Sequence, residues 1–220
     1  DLDLDGLRVL VTAGPTMERI DPVRYLTNDS SGKMGYAIAA AAQARGASVT
    51  LVSGPVHLTA PAGVSVVPVM STQNLYDAMM THCASQDVII QAAAPADYRP
   101  AVMASEKLKK QDGQPFVLTL VENPDVAKAV GEQKKPGQIL VGFAAETEHL
   151  LENAQKKLDK KHLDMIVAND VTQAGAGFGV DTNIVTLISH QGMKSLPLLS
   201  KTEVADRILD QVAVLRAQTH

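Results

Sequence analysis

Apolar positions along this 220-residue chain fall into two alternating patterns. Short, nearly continuous runs such as LRVLVTAG, ASVTLVSG, VSVVPVM, QDVIIQAAA, QILVGFAAE and LDMIVAND are expected of strands covered on both faces. Between them lie segments with helical spacing: KMGYAIAAAAQARG, closed by Gly46, STQNLYDAMMTHCAS, capped by Ser71 or Thr72, and HLLENAQKKLDKKH, with its stripe through Leu150, Leu151, Ala154 and Leu158. The repeated order strand, helix, strand implies parallel pairing with right-handed crossovers. The expectation is a doubly wound, Rossmann-like α/β fold, its mostly parallel sheet carrying helices on both faces and its ligands beyond the carboxyl ends of the strands. The loops after Thr12, Ala93, Phe143 and Asn169 are therefore the ones to read.

Two stretches alternate instead with period two, PFVLTLVEN (115–123) and TNIVTLISHQGMKSLPLLS (182–200), and predict an antiparallel extension or arm that could serve as a dimer contact. The last helix opens on Ser200-Lys201-Thr202-Glu203, a capping-box pattern, and sets Val204, Ile208, Val212 and Leu215 on one face; packing is the role read for it. With no internal repeat and no long linker, residues 1–220 read as a single domain.

Composition narrows the function classes. Net charge is −4 with both signs interspersed, which supplies no field for nucleic acid or an anionic membrane. The acidic start DLDLDG and the absence of an apolar stretch of roughly 20 residues point to a soluble, cytoplasmic protein. Cys83 is the one cysteine and reads as a buried helix thiol, and the six His show no metal-ligand spacing.

The first strand-to-helix loop lacks G-x-G-x-x-G, since Gly14 is followed by Pro15-Thr16 and a long excursion. Gly32-Lys33 is no Walker A motif either: Thr27 stands where its first glycine belongs, and Met34 where Ser or Thr should follow. Ser30-Ser31-Gly32-Lys33 at a helix start can still meet an anion, beside Arg24 and Asn28. After the fourth strand, AAAPADYRPAVMASEKLKK joins small residues that admit a ligand close to the backbone with Asp97 and the cations Lys107, Lys109 and Lys110; the stretch at about 99–115 reads as a mobile flap. Lys157 and Lys161 flank the apolar stripe of their helix, placed to snorkel or to reach an anion.

Together TAGPT, DPVRYLTN with SSGKMG, AAAPADYRP, EKLKK, ENPDV, GFAAET and AND resemble bacterial phosphopantothenoylcysteine synthetase, the C-terminal half of a bifunctional coenzyme A biosynthesis protein whose other half is a flavin-dependent decarboxylase. The resemblance implies a homodimeric ligase that condenses 4′-phosphopantothenate with L-cysteine through an acyl-cytidylate, using CTP and Mg²⁺. It implies catalytic roles for Asn28, Arg24 and Lys107, with Arg24, Asn28 and Ala94 meeting the substrate. Nucleotide contacts would come from Gly14, Ser31, Gly32, Gln91, Ala92, Ala93, Asp97, Lys107, Pro124, Asp125, Val126, Ala127, Phe143, Lys157 and Lys161. Asp29 departs from the His or Arg of many relatives and should take no part in anion binding. Two other readings of such a sheet are an NAD(P)-dependent oxidoreductase, whose glycine fingerprint and Tyr-x-x-x-Lys are absent, and a non-catalytic nucleotide-binding module, which would release no pyrophosphate.

Overall fold

The structure, a computed structural model, describes residues 2–170 and 180–219. Most of the loop after Asn169, singled out above, lies outside the described residues. The main-sheet strands are β1 (Arg8–Ala13), β2 (Ser48–Ser53), β3 (Ser65–Pro68), β4 (Val88–Gln91), β5 (Ile139–Ala145), β6 (Met165–Asn169), β7 (Val185–Ser189) and β8 (Gly192–Ser195). The helices are α1 (Lys33–Ala44), α2 (Thr72–His82), α3 (Val126–Glu132), α4 (Glu148–Lys160) and α5 (Lys201–Thr219).

The eight strands run in the order β8-β7-β6-β5-β4-β1-β2-β3. Those from β3 to β6 pair in parallel, while β7 and β8 add an antiparallel edge. The apolar runs are continuous because both faces are covered. Val9, Val11, Val88, Ile90, Val141 and Val167 pack under α1 and α5, and the alternate residues Leu10, Ile89, Leu140 and Ile166 pack under α2, α3 and α4. Burying each such side chain contributes about 1.5–3 kcal/mol, enough to fix which helix lies on which face.

Two expectations are refined. Only Leu120–Glu122 of the 115–123 stretch is a strand, and it pairs with Tyr98–Pro100 in a separate small ladder. The 182–200 stretch is no free arm: β7 hydrogen-bonds to β6, while Thr182–Asn183 pairs with Leu199–Ser200. Cys83 follows α2 in a short 3-10 turn, 2% exposed, and burial pushes its thiol up, so it packs rather than reacts. No helix among the described residues is long and apolar enough to cross a membrane.

The chain reverses its direction of growth between β1 and β4, the switch point where crossovers diverge and a crevice opens. Helix α1 starts there, and Gly35 lets it lie against β1: a Cβ at that position would sit 2.4 Å from Ala13 Cβ and 2.9 Å from the Thr12 carbonyl oxygen. Gly35→Ala should therefore push α1 off the sheet and cost about 1–3 kcal/mol. Thermal unfolding checks this, with a fall in Tm of roughly 2–4 °C per kcal/mol for a chain of this size.

Candidate functional site

The loops leaving β1 and β4 are joined. Ala94 N–H donates to the Gly14 carbonyl (2.9 Å), Pro15 and Ala94 form a parallel bridge, and Ala93 N–H donates to Thr12 Oγ1 (3.1 Å). Asn28 adds a further tie: its Nδ2 donates to the Ala94 carbonyl (2.7 Å), and its Oδ1 accepts from Ser30 N–H (3.0 Å). The amide thus works as donor and acceptor together, the dual capacity for which it stood out. Below this joint, buried Glu18 accepts from Thr72 N–H (3.0 Å) and Oγ1 (3.1 Å) at the start of α2, where the helix dipole favours a carboxylate.

Two chambers open around the joint. The first, about 490 Å³, lies toward α2, α3 and α4, and is lined by Gln91, Asp97, Pro124 through Ala127 and Lys161, among others. The second, about 540 Å³, lies toward α1 and α5, and is lined by Ser30 through Gly35, Ala92, Ala94, Asn169, Asn183 and Lys201, among others. Ala93, Pro95, Asp97 and Phe143 line both. Each volume lies within the usual span of small-molecule sites. In the first chamber Gln91 Nε2 is buried without a hydrogen-bond partner, a donor that a polar ligand edge would satisfy.

The start of α1 carries no hydroxyl cap. The capping residue is Gly32, in the left-handed region at φ 81°, with no side-chain cap; Ser31 Oγ accepts from Lys33 N–H at 3.3 Å. A Cβ on Gly32 would lie 2.7 Å from Val56 and 3.5 Å from the Gly14 backbone, so glycine here permits the two loops to abut.

Most of the residues expected at the site line a chamber, but Arg24, Asn28, Lys107 and Lys157 do not; Gly14 stands behind the wall, carrying the joint. Lys157 is exposed on α4, and of that pair only Lys161 reaches the first chamber. Lys107 is exposed on the flap. Asp29 is exposed and lines neither chamber.

Arg24 is committed elsewhere. Its guanidinium donates to Asp21 Oδ2 (2.6 Å) and to the Leu108 carbonyl (2.5 Å), while Leu108 N–H donates back to Asp21 (3.0 Å). The Arg24 guanidinium, joined by the amides of Leu108, Val23 and Arg24, holds the Asp21 carboxyl well below the usual carboxylate range. One buried carboxylate thus pins both the Arg24 loop and the flap.

Lys201, read above as part of a packing helix, lies 6% exposed in the second chamber. Burial, then the neighbouring Lys33 charge, pushes its amine down to about 8, against a smaller opposing pull from Asp181. The signal was available: Lys201 stands three, four and seven residues before Val204, Ala205 and Ile208, on the buried stripe of α5. Asn169 and Asn183 were likewise given no role, yet both line this chamber.

Residues 4–215 match the family model for the DNA/pantothenate metabolism flavoprotein C-terminal domain. The chain belongs to this family. Its relatives include the coenzyme A biosynthesis bifunctional protein CoaBC of Vibrio vulnificus (strain YJ016), 50% identical over 96% of this chain, and that of Bacillus subtilis (strain 168), 50% identical over 98%. The chain spans about half the length of these relatives, 53% of each. A crystal structure of a CoaBC C-terminal domain superposes with a TM-score of 0.84 at 45% identity, covering 99% of this chain and all of that one. A Cab2 variant solved in complex with phosphopantothenate-cysteine (TM-score 0.76, 15% identity, 96% of this chain and 88% of that one) shares the fold.

If Asp21 is the pin, its removal frees the flap. Asp21→Asn should raise tryptic cleavage at Lys107, Lys109 and Lys110 by about 10-fold or more, since cleavage follows the population of the open state. The contribution of a depressed carboxyl is present above its unfolded-state pKa of about 3.9 and lost as pH falls through the lower folded value. Wild-type flap protection, followed by pulse proteolysis with an acid-active protease, should therefore persist to below about pH 4.

Proposed function

We propose that this chain is the phosphopantothenate–cysteine ligase half of a bifunctional coenzyme A biosynthesis protein, using CTP. The observation that carries the reading is the pair of chambers meeting at Ala93, Pro95, Asp97 and Phe143, which suits a ligand in two parts such as an acyl-nucleotide. In the first step a carboxylate oxygen of 4′-phosphopantothenate attacks the α-phosphorus of CTP, and the bond to pyrophosphate breaks. In the second the amine of L-cysteine attacks the acyl carbon, the bond to CMP breaks and the amine proton leaves.

The polar edge of a pyrimidine fits the first chamber, where Gln91 offers its buried donor and Asp97 an acceptor. Phosphate oxygens fit the second, where Lys33, Lys201 and the Ser31-Gly32 turn supply cations and donors. Asn28, tied to the Ala94 carbonyl, holds the wall against which the acyl group would lie. Arg24 and Lys107 stand outside both chambers, so their roles require the flap to move from its Asp21 pin.

Among the described residues no three His, Cys, Asp or Glu side chains form a metal-holding group. Mg²⁺ would enter on the triphosphate, as is usual for an ion that prefers phosphates and water to an all-protein cage, and Asp97, which lines both chambers, would be the carboxylate to meet it. When bound, the ion would reduce the charge that a carboxylate must approach. The exposed Tyr98, Val102, Met103, Phe116 and Val117 around the flap give a surface for a second copy, in keeping with a homodimer.

Pyrophosphate detection tests the reading. Release should require both CTP and phosphopantothenate, CMP should appear only after L-cysteine is added, and turnover with NAD in place of CTP would overturn it. Asn28→Asp should slow cysteine transfer by about 100-fold or more while acyl-cytidylate still forms, because a carboxylate cannot donate to Ala94. Lys107→Gln should lower kcat/KM for CTP by about 10-fold or more; wild-type kinetics would make it a solvated lysine.

A further inference from the structure

Lys201 is costly where it stands. It is buried, at the positive end of α5, and beside Lys33, three circumstances that each disfavour an ammonium. Its Nζ donates to Asn183 Oδ1, Asn183 Nδ2 donates to Asn169 Oδ1 (2.7 Å), and all three residues line the second chamber.

This chain of bonds has a direction that one group decides. An ammonium has donors only, so the Asn183 atom facing it must be the oxygen. The other end of Asn183 is then its NH₂, and the Asn169 atom it meets must again be an oxygen. What Asn169 has left is Nδ2, a donor, at the carboxyl end of β6 on the chamber wall.

We propose that Lys201 is a positioning residue: through Asn183 it fixes the amide of Asn169 so that the second chamber presents an N–H donor, and not a carbonyl, to the phosphate oxygens of a nucleotide or pyrophosphate. The nucleotide in this statement rests on the ligase reading; the direction of the amides does not. The arrangement also accounts for a lysine on the apolar stripe of α5, since a neutral donor-acceptor group there could turn around and reverse both amides.

The discriminating variant is Asn183→Leu, which adds no charge to the chamber and leaves Lys201 its own. A lysine that only packs, or that draws a ligand by charge alone, predicts unchanged binding. The positioning role predicts otherwise: with no donor at residue 183 facing Asn169, nothing holds the Asn169 carbonyl away from the chamber. Calorimetric titration with inorganic pyrophosphate and with CTP, at a temperature where the variant is folded, should then show Kd raised at least about 10-fold, the effect of one charge-assisted hydrogen bond.

Asn169→Leu, which removes the donor and likewise adds no charge, should show the same loss and serves if Asn183→Leu unfolds. Wild-type affinity in either folded variant overturns the proposal, as does a wild-type chain that binds neither probe. Failure of the ligase reading looks different: absence of pyrophosphate release by the wild-type chain, with pyrophosphate binding still dependent on Asn183, removes the reading and leaves the positioning role standing.

Discussion

The site depends on the joint between the loops that leave β1 and β4. Parallel neighbours in a doubly wound sheet send their crossovers to opposite sides at the switch point, so nothing in the topology holds their exits together. Here the backbone and one hydroxyl do: Ala94 N–H donates to the Gly14 carbonyl, Pro15 bridges to Ala94, and Thr12 Oγ1 accepts from Ala93 N–H. The crevice floor is consequently an extension of the sheet, with its donors and acceptors already assigned. Asn28 matters in this setting because Ala94 has a carbonyl left over on the ligand side, and the Asn28 amide takes it.

Charge is arranged unevenly around that floor. Arg24 is neutralised locally by Asp21, and the same carboxylate anchors Leu108, so a cation, its loop and the flap form one unit. Lys33 reaches Asp181 on the outside of the second chamber, whose partner is 88% exposed and holds it weakly. Lys201 donates to the Asn183 amide oxygen, a bond that brings no countercharge of its own, and its charge adds to the positive field at the deep end of the second chamber, where water screens it least.

How much of this was legible in the sequence follows from the range of each interaction. Strands and helices are encoded in neighbouring residues, so their order, the capping box at Ser200 and the ligand edge could all be read from period and punctuation. Gln91, Phe143 and Asp97 could be placed from their strands, since Gln91 ends β4, Phe143 lies near the end of β5 and Asp97 follows β4. The Asn28 bond to Ala94 spans 66 positions and the Leu108 bond to Asp21 spans 87, and no local pattern carries such pairings. The 115–123 alternation looked longer than the strand it makes because its partner offers only Tyr98–Pro100 to pair with. Lys201 was different: its phase on α5 was in plain view, but a lysine behind a capping serine ordinarily belongs to solvent.

The two chambers face opposite sides of the sheet, each roofed by its own helices, and a ligand occupying both must cross the carboxyl edge between β1 and β5. That edge is made of Ala92, Ala93 and Ala94 on one strand exit and Phe143 on the next. Methyl groups keep the crossing open, and the ring gives it an apolar lip that prefers neither chamber's polar contents. A ligand confined to one face would need no such opening, and larger residues there would pack the sheet edge better. Small side chains at this edge connect the cations of one chamber with the buried amide donor of the other, the passage that the acyl-nucleotide proposed above would need.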